Sequence, residues 1–139
     1  MRRCRATAKP CRLKNYARQS TLPGARVEIM KTDRYTIYIG LNDGDTKEQK
    51  FETDKLEGVL WNVCRNYHVS FSVSRLSGGY FHDNGQFVKE NTLQIMLLGG
   101  SKETTDEISK DICAFFNQET VLVVHDEVDS YLIRNPLKD

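Results

Sequence analysis

The sequence predicts an α+β protein with a ferredoxin-like β-α-β-β-α-β order, in which two helices cover one face of a mostly antiparallel sheet. Two segments have apolar residues at helical spacing, and four have the alternation or the apolar character of strands. Residues 83–85, "DNG", join two of those strands as a long β-hairpin, because Asn and Gly tolerate positive φ. A chain of 139 residues suits one such domain.

The first strand is "RYTIYIGL", residues 34–41, with Tyr35, Ile37 and Ile39 on one face. It runs directly into the polar loop "NDGDT", residues 42–46. We expect this loop to close the end of the strand and to lie near a protomer contact or the rim of a pocket. It lacks the register and the distal Glu of a calcium loop, so we expect no metal there.

Both helices show capping signals. The first follows Thr53, the predicted N-cap, and its apolar residues recur at i, i+3, i+4 and i+7 from Leu56. The second begins at Thr104, which forms an S/T-x-x-E capping box with Glu107. Asn117 is its predicted terminator.

The hairpin strands are predicted at about 68–82 and 86–98. Gly78 and Gly79 indicate a bulge or a close approach of backbone within the first of them. The last strand, 120–128, has little polar interruption and is predicted to be central.

That last strand could extend to Arg134, before Pro136 stops the pairing. The sheet face away from the helices also needs cover. Its expected residues are apolar, and an exposed apolar sheet face predicts a homo-oligomer. The candidates for that face are Tyr38, Phe81, Phe87 and Met96.

Charge is distributed unevenly along the chain. Residues 1–30 hold eight Lys or Arg and one acid, whereas residues 31–139 hold twelve basic and eighteen acidic residues. Met30 begins "MKTDRYTIYIG", which resembles a natural chain start directly before the first strand. We therefore predict that residues 1–29 are a disordered basic leader or a mis-assigned start, and that residues 30–139 form a single ligand-binding domain.

Several function classes lack their signals. No apolar run is long enough to cross a bilayer and no secretory signal is present, so we expect a cytoplasmic protein without a membrane partner. No Cys or His pair has metal-ligand spacing, and neither a nucleophile elbow nor a phosphate-binding glycine loop occurs. We expect no metal, no cofactor and no catalytic residues, and hence a binding protein rather than an enzyme.

A set of side chains remains that suits a small ligand carrying phosphates and aromatic faces. Tyr80 and Phe81 adjoin the glycine pair, Asn117 and Gln118 leave the second helix together, and Arg134 ends the last strand. The alternative is structural: sheet core, helix cap and solvated terminus. The predicted ligand-binding residues are Arg75, Tyr80, Phe81, Asn117, Gln118 and Arg134.

Three segments carry a family resemblance: "YTIYIGLNDGDTKEQKF", "GYFHDNGQFVKENTLQIML" and "FNQETVLV". They resemble the first-described class of Thoeris anti-defence proteins from bacteriophages. The resemblance covers about Lys31 to Arg134 and excludes the basic leader. The sequence departs from the family pattern at "RNPLKD", which contains Pro136.

The resemblance implies a phage-encoded sponge in the cytoplasm of a bacterial host. Such a protein would bind cyclic ADP-ribose isomers made by bacterial TIR enzymes, and could also bind cyclic oligonucleotides, without cleaving them. The family also implies symmetric oligomers with pockets between protomers. Asn117 is carried over as a hydrogen-bonding residue and Arg134 as a phosphate-binding residue, whereas Arg75, Tyr80 and Phe81 rest on chemistry alone.

Two other hypotheses stay open. The basic arm could bind nucleic acid or inhibit a nucleoprotein, since Lys and Arg release phosphate counterions, although the acidic body makes broad nucleic-acid binding unfavourable. The chain could also be a small ferredoxin-like enzyme, because the fold alone does not decide function.

Overall fold

The structure, a computed structural model, describes residues 27–138. Its elements follow the predicted order β-α-β-β-α-β, which confirms the fold class. The prediction of a basic leader at 1–29 falls almost entirely outside the described residues. Within residues 27–138, none of the helices is long and apolar enough to cross a membrane. The elements are β1 (Met30–Gly40), α1 (Thr53–Asn66), β2 (Ser72–Phe81), β3 (Phe87–Leu98), α2 (Lys102–Phe115) and β4 (Leu122–Ser130).

The four strands form one sheet in the order β2-β3-β1-β4. β1 pairs antiparallel with β3 from Arg34 opposite Leu98 to Gly40 opposite Thr92. β2 and β3 form the predicted long antiparallel hairpin. The prediction that the last strand is central is wrong: β1 is central and β4 lies at an edge, where alternate residues such as Leu122 are exposed.

The described chain divides into two compact units. The larger one is Asp33–Glu127, and the smaller one combines the residues up to Thr32 with those from Val128. In the smaller unit, the hydroxyls of Thr32 and Ser130 lie 2.5 Å apart. Lys31 and Asp129 form an ion pair of 2.6 Å there.

The core of the larger unit lies between the two helices and one face of the sheet. Odd-numbered residues of β1 and β3, such as Ile37 and Ile95, are fully buried there against α1 and α2. Each such side chain contributes about 1.5–3 kcal/mol relative to exposure. Both helices therefore cover the same sheet face, as predicted. The thiol of Cys64 is part of this core, and burial raises its pKa to about 11.

Both predicted N-caps are displaced. α1 begins after Glu52, which makes no side-chain capping bond, so Thr53 is the first helical residue. α2 begins after Ser101, whose hydroxyl accepts a hydrogen bond from the Thr104 N–H. The capping box at Thr104 is therefore wrong, because an earlier serine already satisfies that donor.

The face away from the helices, here called the helix-free face, carries the even-numbered residues of β1, β2 and β3. Tyr38 and Met96 lie on it as predicted, because their partners in the register are also even-numbered. Phe81 and Phe87 do not, because they pair with each other at odd positions and lie on the helix side of the hairpin end. Their ring centroids are 5.2 Å apart, and both rings are exposed.

The glycine pair and the last strand also differ from expectation. The register runs through Gly78 and Gly79 without a bulge. A close approach does occur, since a Cβ on Gly79 would collide with the ring of Phe87. β4 ends at Ser130, and Arg134 lies in an exposed segment outside any strand, followed by a turn at Pro136.

Candidate functional site

Two clusters of polar groups lie at the end of β1, both in the larger unit. The first is the Asp43 loop, residues 42–46. The buried Asp43 carboxylate accepts hydrogen bonds from the backbone N–H groups of Asp45 at 3.0 Å and Thr46 at 3.1 Å. An aspartate that binds its own following amides is a common way to close a tight turn.

Asn117 and Gln118 close this loop from the end of α2. Asn117 has a left-handed backbone with φ of 48°, and its side-chain amide donates to Asp43 Oδ1 at 3.1 Å and Asp45 Oδ2 at 2.9 Å. Its carbonyl accepts from the Gly44 N–H at 2.9 Å. The Gln118 amide donates to the Asn42 carbonyl.

The bond from Asn117, followed by that from the Thr46 N–H, lowers the pKa of Asp43 to about 2. The carboxylate is thus charged throughout the neutral range and is already hydrogen-bonded by protein groups. Beside the loop lies an open depression of ≈ 310 Å³, whose lining includes Gly44, Asp45 and Asn117. Asn117 and Gln118 lie together here, and both side-chain amides donate to the loop.

The second cluster is on the helix-free face. The half-buried Glu90 accepts one hydrogen bond, from the Asn42 N–H to its Oε2 at 3.0 Å. Its carboxylate occupies the space in front of Gly40, where a Cβ would collide with it. No Lys, Arg or His within residues 27–138 forms an ion pair with Glu90.

Tyr80 lies on the same face as Glu90. Gly78 is paired with Glu90 and Tyr80 with Val88, so Tyr80 is a diagonal neighbour of Glu90, about 7–8 Å away across the strands. The Tyr80 ring is 37% exposed and meets His82 edge to face at 5.2 Å. Gly78 has no side chain to fill the space between them. We call Gly40, Gly78, Tyr80 and Glu90 the Glu90 site.

The other predicted residues lie elsewhere. Arg75 donates to Glu57 at 3.0 Å and pairs with Asp54, both on α1, and these two bonds raise the pKa of its guanidinium. Phe81 points to the helix side, so it does not share a face with Tyr80. Arg134 is exposed and belongs to the smaller unit.

Sequence reasoning missed Glu90. In "FVKENTLQI" it is one polar residue of an alternating strand, and nothing local distinguishes it from Lys89. The available signal was the hairpin register: counting back from "DNG" pairs Glu90 with Gly78. In the described part of the chain, no group of three His, Cys, Asp or Glu could hold a metal ion.

Comparisons with known proteins find likeness in structure only. No protein-family model matches the sequence, and no curated protein matches it. A phage SAM (S-adenosylmethionine) lyase in complex with S-methyl-5′-thioadenosine is 23% identical, with a TM-score of 0.55, over 74% of this chain and 90% of the lyase chain. Its apo structure gives the same identity and TM-score, over 75% and 90%. CutA from Synechococcus elongatus is 7% identical, with a TM-score of 0.51, over 74% and 85%.

These likenesses establish the fold and correct one expectation. We expected a protein that is not an enzyme because the sequence contains no familiar catalytic motif. That expectation is wrong, since a phage protein with this fold and 23% identity is a lyase. The absence of a nucleophile elbow or a metal motif therefore does not separate this chain from enzymes.

Proposed function

We propose that the chain is an enzyme that counters bacterial anti-phage defence by cleaving S-adenosylmethionine and releasing S-methyl-5′-thioadenosine. The observation that carries this proposal is the Glu90 carboxylate, held in front of Gly40 without a basic partner in residues 27–138. A half-buried carboxylate that lacks a cationic partner in residues 27–138 is suited to receive a cation from a ligand.

The charge of the ligand fits this site. S-adenosylmethionine carries an α-ammonium and a sulfonium, and a carboxylate is a direct partner for the ammonium. The body of the chain, residues 31–139, has eighteen acids against twelve basic residues, so its field attracts a cation. The phosphates of a cyclic nucleotide would be repelled by the same field.

Tyr80 supplies an aromatic face beside the carboxylate. Such a face can hold adenine by stacking or a sulfonium by cation–π attraction, the latter contributing about 0.5–2 kcal/mol. Gly78 leaves room for a ligand to lie across the strands between Tyr80 and Glu90.

Cleavage of S-adenosylmethionine requires few catalytic groups from the protein. The bond broken joins the sulfonium sulfur to the methionine side chain, and its electron pair stays on sulfur to give a neutral thioether. The carbon then either forms a bond to the substrate's own carboxylate, which gives a lactone, or gains a double bond as the neighbouring carbon gives its proton to water, which gives an alkene. Because a neutral thioether leaves, no proton donor is required, and the main task of the enzyme is to orient the substrate.

We further propose that the enzyme is a homo-oligomer with sites between protomers, acting in the host cytoplasm. The support is the helix-free face. Asp126 of β4 binds the even-numbered Arg34 of β1, so the even-numbered residues of β4 also lie on this face, where apolar side chains of three strands are exposed. Contact with a second protomer would cover part of this surface and add side chains to the Glu90 site. The exposed apolar side chains are Leu76, Leu98, Leu122 and Val124.

The test is to incubate the full chain with S-adenosylmethionine and to separate the products by chromatography with mass detection. We expect S-methyl-5′-thioadenosine together with the lactone or the alkene, formed faster than in buffer. Intact S-adenosylmethionine after prolonged incubation with folded protein would refute the proposal.

A second candidate is binding of a cyclic ADP-ribose isomer. It is favoured by the resemblance of the segments around Asn42 and Asn117 to the Thoeris anti-defence family, with Asn117 and Arg134 as proposed contacts to the ligand. Calorimetry with cyclic ADP-ribose isomers separates the two candidates. Tight binding of an isomer, together with no turnover of S-adenosylmethionine, would favour the second.

A further inference from the structure

Among the strands of residues 27–138, β2 lies at an edge of the four-stranded sheet and has a neighbour on one side only. It pairs with β3 over all ten residues, Ser72–Phe81, and nine of the ten are exposed. A strand of this length extends about 33 Å. No strand of the described chain pairs with its outer side, and the backbone groups there can act as a template for another strand.

The hairpin end determines which groups point outward. His82 N–H donates to the Gln86 carbonyl at 2.8 Å, and hydrogen-bonded pairs alternate along an antiparallel ladder. The even-numbered residues of β2 therefore bond to β3, and the odd-numbered ones direct N–H and C=O away from the sheet. On the other side of β3, Leu41 N–H donates to the Asn91 carbonyl. Odd-numbered residues of β3 therefore bond toward β1, which leaves the even-numbered ones to bond toward β2. The outward-facing residues are Val73, Arg75, Ser77, Gly79 and Phe81.

The two edges of the sheet differ in their protection. β4 carries three acids, Asp126, Glu127 and Asp129, which oppose pairing with another strand. β2 contains no Lys and no Pro, and its single charged residue, Arg75, is held by carboxylates of α1. The β2 edge is therefore the unprotected one.

We infer that the β2 edge pairs antiparallel with the β2 edge of a second copy, around a two-fold axis at Ser77. In this register every outward-facing residue has a partner. Val73 lies opposite Phe81 of the second copy, Arg75 lies opposite Gly79, and Ser77 lies opposite itself. The sheet then continues through eight strands.

Side-chain size and charge select this register. On the helix-free face, Tyr80 stands opposite Ser74 of the second copy and Leu76 opposite Gly78, so each large residue meets a small one. No like charges are opposed. An axis moved to Arg75 would instead place two guanidinium groups directly opposite each other, which is unfavourable.

The pairing also adds to the Glu90 site. Gly78 is paired with Glu90 within the chain and would lie beside Leu76 of the second copy. That leucine would form an apolar wall where this chain has no side chain of its own. The pairing itself depends only on strand edges, so it stands whichever ligand the site takes.

A charge-swap experiment at Ser77 tests the inference. The wild type is expected to have twice the 16.0 kDa mass of one chain by light scattering. Ser77→Lys and Ser77→Glu each place like charges about 5.5 Å apart, Cα to Cα, across the axis, so each alone is expected to be monomeric. When the two variants are mixed, the Lys and Glu side chains attract, so dimers with one copy of each variant should form. Labelling one variant with nitrogen-15 makes these mixed dimers distinguishable by mass in native mass spectrometry. The matched controls, Asn62→Lys and Asn62→Glu on the exposed side of α1, should stay dimeric without preference.

A second variant checks the backbone bonds. Ser77→Pro removes one outward N–H while leaving the bonds between β2 and β3, so it should be monomeric with unchanged circular dichroism. A monomeric wild type would overturn the inference, and so would a trimer that the Ser77 variants leave intact. The inference also fails if the mixture of the Lys and Glu variants gives mixed and single-variant dimers in the proportions expected from random pairing.

Discussion

The Asp43 loop and the Glu90 site lie at the same end of β1 and both centre on a carboxylate, yet they use it differently. Asp43 accepts bonds from Asp45, Thr46 and Asn117, and the loop is bound at both ends by protein groups. Glu90 accepts one backbone bond and faces an exposed sheet surface. The more conspicuous polar loop in the sequence is held by hydrogen bonds within the protein, and the inconspicuous glutamate is the residue that we propose to bind a ligand.

The largest effect is expected on enzymatic activity, which should depend on the Glu90 carboxylate and not on the Asp43 loop. Glu90→Gln keeps an acceptor for the Asn42 N–H and removes the charge that would meet an ammonium. Loss of a charge-assisted bond of about 1.5–3 kcal/mol lowers kcat/KM about 10- to 160-fold. The rate of S-methyl-5′-thioadenosine release measures it. Asp45→Asn is the matched control and should change that rate by less than about twofold; equal losses in both variants would remove the distinction between the sites.

The second effect concerns the stability of the loop. Asn117→Gly keeps the left-handed backbone and removes the amide that bridges Asp43 and Asp45. We expect the free energy of unfolding to fall by about 1–2 kcal/mol, measured by urea denaturation. Turnover of S-adenosylmethionine per folded molecule should be unchanged. A variant as stable as the wild type but defective in binding would instead identify Asn117 as a ligand contact.

The third effect is the pH dependence that Asp43 contributes. Its pKa is lowered from 3.8 to about 2 in the folded chain, so its ionised form is favoured by folding. This contribution is fully present above 3.8 and is lost as the pH falls from 3.8 toward 2. Asp43→Asn should have lower stability at neutral pH and a flatter decline across that window, measured by urea midpoints. Parallel declines in both proteins would contradict the assignment.

The smallest effect is expected at Arg75, which was predicted to bind phosphate. Its guanidinium is paired with Asp54 and Glu57 on the surface, where ion pairs contribute little. Arg75→Met should alter ligand affinity less than about twofold by calorimetry. A larger loss would mean that the guanidinium leaves α1 when a ligand binds.

Much of the fold could be predicted from local patterns. The alternation in β1, the helical spacing from Leu56 and the turn residues at 83–85 gave the right elements in the right order. The same turn also contained the register of the hairpin, and with it the parity that places Tyr80 and Phe81 on opposite faces. The central position of β1 was not predicted, because apolar character alone does not separate an edge strand with one buried face from a buried strand.

The candidate site was less accessible from sequence. Whether a polar residue is satisfied depends on partners far along the chain: Asn117 meets a loop 74 residues away, and the Glu90 carboxylate meets the Asn42 N–H across 48 residues. Local spacing contains neither fact. Residue type alone therefore favoured Asn117, whose amide is already engaged, and passed over Glu90.

The place of β1 has a consequence for the order in which the chain assembles. β1 is synthesised first of the described strands, yet it lies between β3 and β4, and β4 is synthesised last. The hairpin of β2 and β3 can form from neighbouring residues as soon as it leaves the ribosome. The edge of β1 that pairs with β4 therefore stays open until the last strand emerges, and an open strand edge of this kind is a site where nascent chains can associate wrongly.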